Sequence, residues 1–397
     1  MIYILGRQPA IGLAELESLY DASSLRPVGD YAAVVERDTE VNFGRIGGAI
    51  KVGKVLATID STDLNVIKKQ LESIITTHLT SLPEGKFKLG ISCYGLNASP
   101  ARINALGLGL KKAIKASGRS VRLIPNPETA LNSAQVLNNK LTSELGCELL
   151  LIRDGVNTIV AQTTAVQDID AYTLRDRGRP KRDARVGMLP PKLAQTIVNI
   201  AAANTPPDYG AEVFDPFCGT GVILQEAALM GYDITGSDLE QRMVDYTDAN
   251  LLWLLTLKEN RVTPLSPDKR YYRLEVGDAT THKWANPGGI VASEVYLGRP
   301  FTSVPDNEIL QKTINDCDTI LKKFLANLHD QIQPGTRLCL AVPSWFVANK
   351  INHLRTLDQL PHLGYNRISF VHSNDKDLVY HREGQIVGRE LLVLTRK

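Results

Sequence analysis

The stretch "VFDPFCGTGVIL", residues 213–224, runs from an apolar strand through an acid and two glycines into a second apolar run. Glycines at a strand-to-helix junction let the backbone approach a ligand closely, and the first turn of the helix offers unpaired N–H groups. Asp215 ends the first strand, and Asp238 ends the next, "YDITGSD", about twenty residues past the glycines, where a carboxylate can accept from ribose hydroxyls. The third glycine of the dinucleotide fingerprint is missing, since position 224 is Leu, and the loop has no Gly-Lys-Ser/Thr for phosphate. A glycine loop flanked by acids suits a cationic nucleoside instead, and S-adenosylmethionine, a sulfonium bearing an amino acid and a ribose, meets that description. Asp278, after "RLEV", adds a third carboxylate beside the same crevice.

These residues need a frame that delivers several strand ends to one edge. From Pro190 and Pro191, placed to open a helix, the chain alternates helix and strand, which predicts a doubly wound sheet with right-handed crossovers. Ahead of it, residues 1–58 read as a small unit of strands and one or two helices. Residues 59–168 read as a second α/β domain of alternating helices and strands. A segment at 169–188, "YTLRDRGRPKRDAR" at its centre, carries Arg175, Arg177, Arg179, Lys181, Arg182 and Arg185, and reads as an extended linker able to follow a phosphate backbone. A merely solvated linker is the alternative.

Length and composition set bounds. At 397 residues the chain exceeds one ordinary core, so two or three domains are expected. A net charge of +2 argues against indiscriminate coating of nucleic acid. The five cysteines are dispersed and no Cys/His cluster has ligand spacing, so no metal site is expected. With neither a signal-like N-terminus nor an apolar run approaching ~18 residues, the expectation is a cytoplasmic protein with no membrane association.

"FDPFCGTGVILQEAALMGYDITGSDL" resembles motifs I and II of the RNA-modifying class I methyltransferases. "GRPKRDARVGMLPPKLAQTIVNIA", "YHREGQIVGRELLVL" and "MIYILGRQPAIGLAELESL" are similar to the linker and first helix, the terminal strands and the N-terminal domain of the THUMP-domain tRNA guanine-N2-methyltransferases acting at guanosine 10. The resemblance implies an α/β chain: a Rossmann-like methyltransferase domain at 189–397, preceded by a ferredoxin-like domain and a THUMP-like RNA-binding domain. It also implies S-adenosylmethionine as cofactor and tRNA as partner. Gly219, Thr220 and Gly221, with Phe217 beside them, would surround the cofactor's methionine part, Asp215 would hold its amino group, Asp238 its ribose and Asp278 its adenine amine. Arg177, Arg179 and Lys181 would meet RNA. Eukaryotic relatives require a small partner subunit, and the sequence leaves that open here.

One family motif departs from the pattern. Where relatives carry Asp-Pro-Pro-Tyr after the fourth strand, this chain reads "IVASEVYLGRPF". Aligned without gaps, Glu294 takes the place of the Asp that accepts from the target amine, and Tyr296 or Phe301 is left to stack on the base. Three readings follow: a tRNA methyltransferase using Glu294, an RNA-binding protein that keeps the fold without the chemistry, and an amino-methyltransferase of DNA or protein, the last disfavoured by the N-terminal domains.

Overall fold

The computed structural model describes all residues except 38–40, 80–82, 184–187, 208–209, 258–271, 302 and 348–349; the side chains of 76–79 are also left undescribed. The chain forms two compact units, one of residues 1–9, 23–44 and 49–169, the other of residues 10–22, 45–48 and 170–397.

The first unit is built on one sheet of β1 (Ile2–Leu5), β2 (Leu25–Val28), β3 (Ala32–Val35), β4 (Ala49–Ile59), β5 (Phe87–Tyr94), β6 (Val121–Leu123), β7 (Gly146–Asp154) and β8 (Asn157–Val166), in the order β2-β3-β1-β4-β8-β7-β5-β6. Strands expected in two separate domains thus share a single sheet, joined where β4 pairs antiparallel with β8. Apolar side chains of β5 and β7 pack with those of the helices Leu64–Leu79 (α2) and Pro100–Ala116 (α3), the latter capped at its start by Ser99. The short helix Ser133–Asn138 (α4) begins with a reciprocal capping box between Asn132 and Gln135.

The second unit begins with α1 (Pro9–Tyr20), whose Glu15 is wholly buried and accepts from the backbone N–H of Gly47 and Gly48 and from Asn199 Nδ2. Helix α5 (Ile169–Arg177) occupies the start of the basic segment, where an extended linker is expected from the sequence. The structure corrects that expectation: Asp170 in the first turn and Arg175 and Arg177 in the last complement the helix dipole, and Arg175 is anchored by an ion pair with Glu226. Then come α6 (Pro191–Ala202), β9 (Glu212–Asp215), α7 (Val222–Met230), β10 (Asp233–Asp238), α8 (Gln241–Thr256), β11 (Tyr272–Val276), β12 (Ile290–Glu294), α9 (Asn307–His329), β13 (Arg337–Val347), β14 (Lys350–Asn352), β15 (Tyr365–Arg367), β16 (Val379–Tyr380) and β17 (Val387–Arg396). The sheet order is β11-β10-β9-β12-β13-β17-β15, parallel from β11 to β13, with β17 antiparallel to β13. Apolar clusters fill both faces, one with α6 and α7 and the other with α9. This is the Rossmann-like doubly wound architecture expected from the sequence, with an antiparallel strand at β17.

Candidate functional site

From β9 the chain winds outward to β10 and β11, then returns to the other side of β9 as β12 and continues to β13. The reversal between β9 and β12 is the switch point at which open α/β sheets bind ligands beyond their carboxyl ends. Registers bring the sequence-derived acids there: Gly236 of β10 lies opposite Asp215, Val291 of β12 opposite Phe214, and Asp238 opposite Val276 of β11. Asp215, Asp238, Asp278 and Glu294 therefore stand at or just past the same edge.

The glycine loop bridges β9 and α7. Gly219 and Gly221 have φ of +52° and +79°, which side-chain-bearing residues rarely adopt, and Gly221 is the cap of α7 with no side chain closing it. A Cβ on Gly219 would have only Phe217 O nearby, at 3.9 Å, so that side of the loop is open to a ligand. A Cβ on Gly221 would lie 2.8 Å from Thr247 Cγ2, so there the absence of a side chain lets the loop pack on α8. Two α8 side chains hold the loop: Thr247 Oγ1 donates to Gly219 O (2.9 Å) and Asn250 Nδ2 to Thr220 O (2.8 Å). Thr220 is buried and Phe217 half-buried, its ring edge-on to Phe324 of α9 at 5.0 Å between centroids.

The carboxylates differ in setting. Asp238 accepts from Gly219 N through Oδ2 and from Glu240 N through Oδ1, both at 3.0 Å, so it fastens the loop while burial raises its pKa. Asp215 is buried beneath the loop; Ser293 Oγ donates to its Oδ1 at 2.6 Å and Phe217 N at 3.1 Å. Burial pushes Asp215 up to about 7 against those two hydrogen bonds, with Asp238 and Glu294 adding to the rise. Asp278 is exposed, and the backbone N–H and hydroxyl of Thr280 (2.9 and 2.8 Å) hold its pKa below the ordinary value.

Glu294 lies at the end of β12 with its side chain largely buried, and Arg389 of β17 donates Nε–H to its Oε1. Burial raises the Glu294 pKa and Arg389 opposes the rise. Tyr296, two residues on, is 46% exposed, a ring open to stacking. Phe301 is half-buried against the α9 cluster, with the Arg299 guanidinium 5.4 Å from its ring centre.

The basic segment does not form one solvated stripe. Arg177 and Lys181 are exposed, but Arg175 is buried in an ion pair with Glu226 (2.7 Å), and Arg179 is 3% exposed with none of its guanidinium nitrogens hydrogen-bonded among the described residues. The burial corrects the expectation of a surface arginine at 179. Burial also disfavours its charge. Arg185 lies outside the described residues. Ser293, Arg389, Thr247 and Asn250 are not legible as site residues from sequence; each acts on a partner distant along the chain, which no local spacing announces.

Residues 179–265 match the family described as "UPF0020: RMKL-like, methyltransferase domain". A tRNA (guanine(10)-N2)-dimethyltransferase of Methanothermobacter thermautotrophicus is 32% identical over 163 residues, which is 40% of each chain. This protein thus matches well under two thirds of that relative's length. Among solved structures, TrmN from Thermus thermophilus aligns over 100% of this chain and 99% of its own (TM-score 0.51, 15% identity), and SMU.472 complexed with SAH over 100% and 97% (TM-score 0.51, 12% identity). Residues 179–265 are thus similar in sequence to the RMKL-like methyltransferase domain of UPF0020, within a chain whose fold resembles that of TrmN.

Proposed function

We propose that the protein is an S-adenosylmethionine-dependent methyltransferase that modifies the exocyclic amine of a guanosine in tRNA, at position 10, and works in the cytoplasm. The observation that carries this reading is the crevice at the switch point. There an open glycine loop and a buried carboxyl, Asp215, adjoin a second carboxylate, Glu294, at the end of the next strand. The donor set fits the cofactor: acceptors for ribose and ammonium are present, and a phosphate-binding lysine is absent from the loop. The guanosine-10 relative from Methanothermobacter and the SAH-bound structural neighbour support the substrate and cofactor classes. Among the described residues no helix is long and apolar enough to cross a membrane.

When bound, S-adenosylmethionine supplies the electrophilic methyl group. The chain's own residues then bind and aim. Asp238 accepts from the ribose hydroxyls, Asp278 from the adenine amine, and Asp215 meets the positive amino-acid group below the loop. Glu294, with Oε1 engaged by Arg389, has Oε2 for the guanine amine, and holding that amine in line with the methyl is where most of the rate enhancement lies. Tyr296 stacks on the base, with Phe301 the alternative platform. Arg177 and Lys181 contact phosphates, and the first unit is the further RNA-gripping surface. The test is mass spectrometry of nucleosides from tRNA incubated with the protein and isotopically labelled S-adenosylmethionine. Labelled N2-methylguanosine or its dimethyl form is expected, and RNA binding without label would establish a binding protein in place of an enzyme.

A further inference from the structure

Asn250 of α8 is completely buried, and its carboxamide serves two separate stretches of chain. Its Nδ2 donates to Thr220 O of the glycine loop at 2.8 Å and to Lys181 O of the basic segment at 2.9 Å, while Oδ1 accepts from Lys181 N at 2.9 Å. Both amide hydrogens are used, and the residue's two ends match the N–H and C=O of one backbone position. Aspartate could not donate, and alanine could do neither. Thr247, three residues earlier and so on the same helix face, holds only the loop, through Gly219 O. Because a carbonyl and the next N–H point in opposite directions across one peptide plane, fixing Gly219 O toward α8 turns the Thr220 N–H away from it.

On the outer side of the same helix, the exposed Lys181 ammonium lies 5.5 Å from the centre of the Tyr246 ring and the Arg242 guanidinium 5.7 Å from it. Arg242 also pairs with Asp183 at 3.0 Å, fastening the segment two residues further along. Arg242 is also paired with Glu240 at 3.3 Å, so Lys181, with no acid paired to it among the described residues, is the cation this surface offers to a polyanionic strand. Two residues before Lys181, the segment carries Arg179, buried with no hydrogen bond to its guanidinium among the described residues, so docking of the segment is opposed by the desolvation of that charge. A contact that RNA adds at Lys181 acts directly on a segment that shares Asn250 with the cofactor loop.

We propose that Asn250 is a positioning residue that couples RNA bound on the Lys181–Arg242 surface to the cofactor loop, so that RNA tightens cofactor binding. The inference rests on the function proposed above. Its sign follows from the hydrogen bonds: RNA that favours the docked segment favours the Asn250 orientation that also holds Thr220 O.

The test titrates S-adenosylhomocysteine, which cannot turn over, into the full chain at fixed salt, with and without saturating unmodified tRNA transcript. In the wild type tRNA should lower the dissociation constant about fivefold or more, the lower end of usual coupling strengths. In Asn250→Ala the ratio should fall to about one, and Thr247→Val should bind more weakly overall yet keep the wild-type ratio. If Asn250→Ala does not fold, Asn250→Ser, too short to reach both stretches, is read the same way. A wild-type ratio near one, or an undiminished ratio in the Asn250 variant, overturns the coupling while leaving the proposed function standing. Absence of S-adenosylhomocysteine binding in every condition instead overturns the proposed function, and this inference with it.

Discussion

Replacing Asp215 with asparagine should remove a pH dependence of stability that can be sized from the structure. The Asp215 carboxyl is buried beneath the glycine loop and its pKa stands at about 7, against an ordinary 3.8. Between those values the folded protein keeps the proton and the unfolded chain has lost it, so the folded state binds more protons and stability falls as pH rises. Nothing from this group is lost below about pH 4, and the decline is complete once pH passes about 7. A gap of about three pH units at about 1.4 kcal/mol each gives about 4 kcal/mol across that window. An asparagine at this position would keep nearly the same shape without a titrating proton. Urea unfolding of wild type and Asp215→Asn in parallel between pH 4 and 8 isolates the contribution, because the other buried acids are common to both chains. The wild-type advantage should shrink steadily across the window; a difference that stays constant within about 0.5 kcal/mol would refute the reasoning.

Other expectations follow from the same site. Binding of a cationic cofactor above Asp215 favours its ionised form, so affinity should rise with pH up to about 7 in wild type and be flatter in Asp215→Asn, as calorimetry at several pH values would show. Asp238→Ala should weaken S-adenosylmethionine binding by ~1–3 kcal/mol, the scale for a charged hydrogen bond, and unchanged affinity would remove Asp238 from the site. Glu294→Gln should retain some turnover and Glu294→Ala lose about a hundredfold or more, and the alanine variant should also melt earlier because Arg389 is then left buried without its counter-ion. Arg179→Met should raise the unfolding midpoint, whereas replacing Arg177 and Lys181 should leave it unmoved and flatten the salt dependence of tRNA binding by about one unit of slope per lost contact.

Features encoded over a few neighbouring residues are open to reading. The glycine loop declares itself because side-chain-bearing residues rarely adopt the backbone found at 219 and 221, and the strand-end acids because a charged residue closing an apolar run has few structural uses. Helix α2 is equally plain from its periodicity. By contrast, Ser293 reaches Asp215 across 78 residues of chain, Arg389 reaches Glu294 across 95, and Asn250 reaches Lys181 across 69, and no period or motif links such positions. Helices α5 and α9 escape the sequence reading although signals for them exist. The charge order of α5 fits its dipole, and in α9 Leu310, Ile314, Cys317, Leu321, Leu325 and Leu328 recur at three- and four-residue steps. The basic residues of 175–181 read as one patch because composition cannot separate a buried guanidinium from an exposed one.

The pairing of Glu294 with Arg389 also bears on how the protein is made. Strand β17, which brings Arg389, is inserted between β13 and β15, so the parallel half of the sheet can form before the guanidinium reaches the crevice. At a ribosomal speed of about 5–20 residues per second, Glu294 precedes its partner by roughly 5–20 seconds. In that interval its carboxylate faces burial with no counter-charge, which favours a nascent crevice that stays hydrated and open. Closing β17 then neutralises the carboxylate, so Glu294 reaches its charge-balanced setting only once Arg389 has joined the sheet.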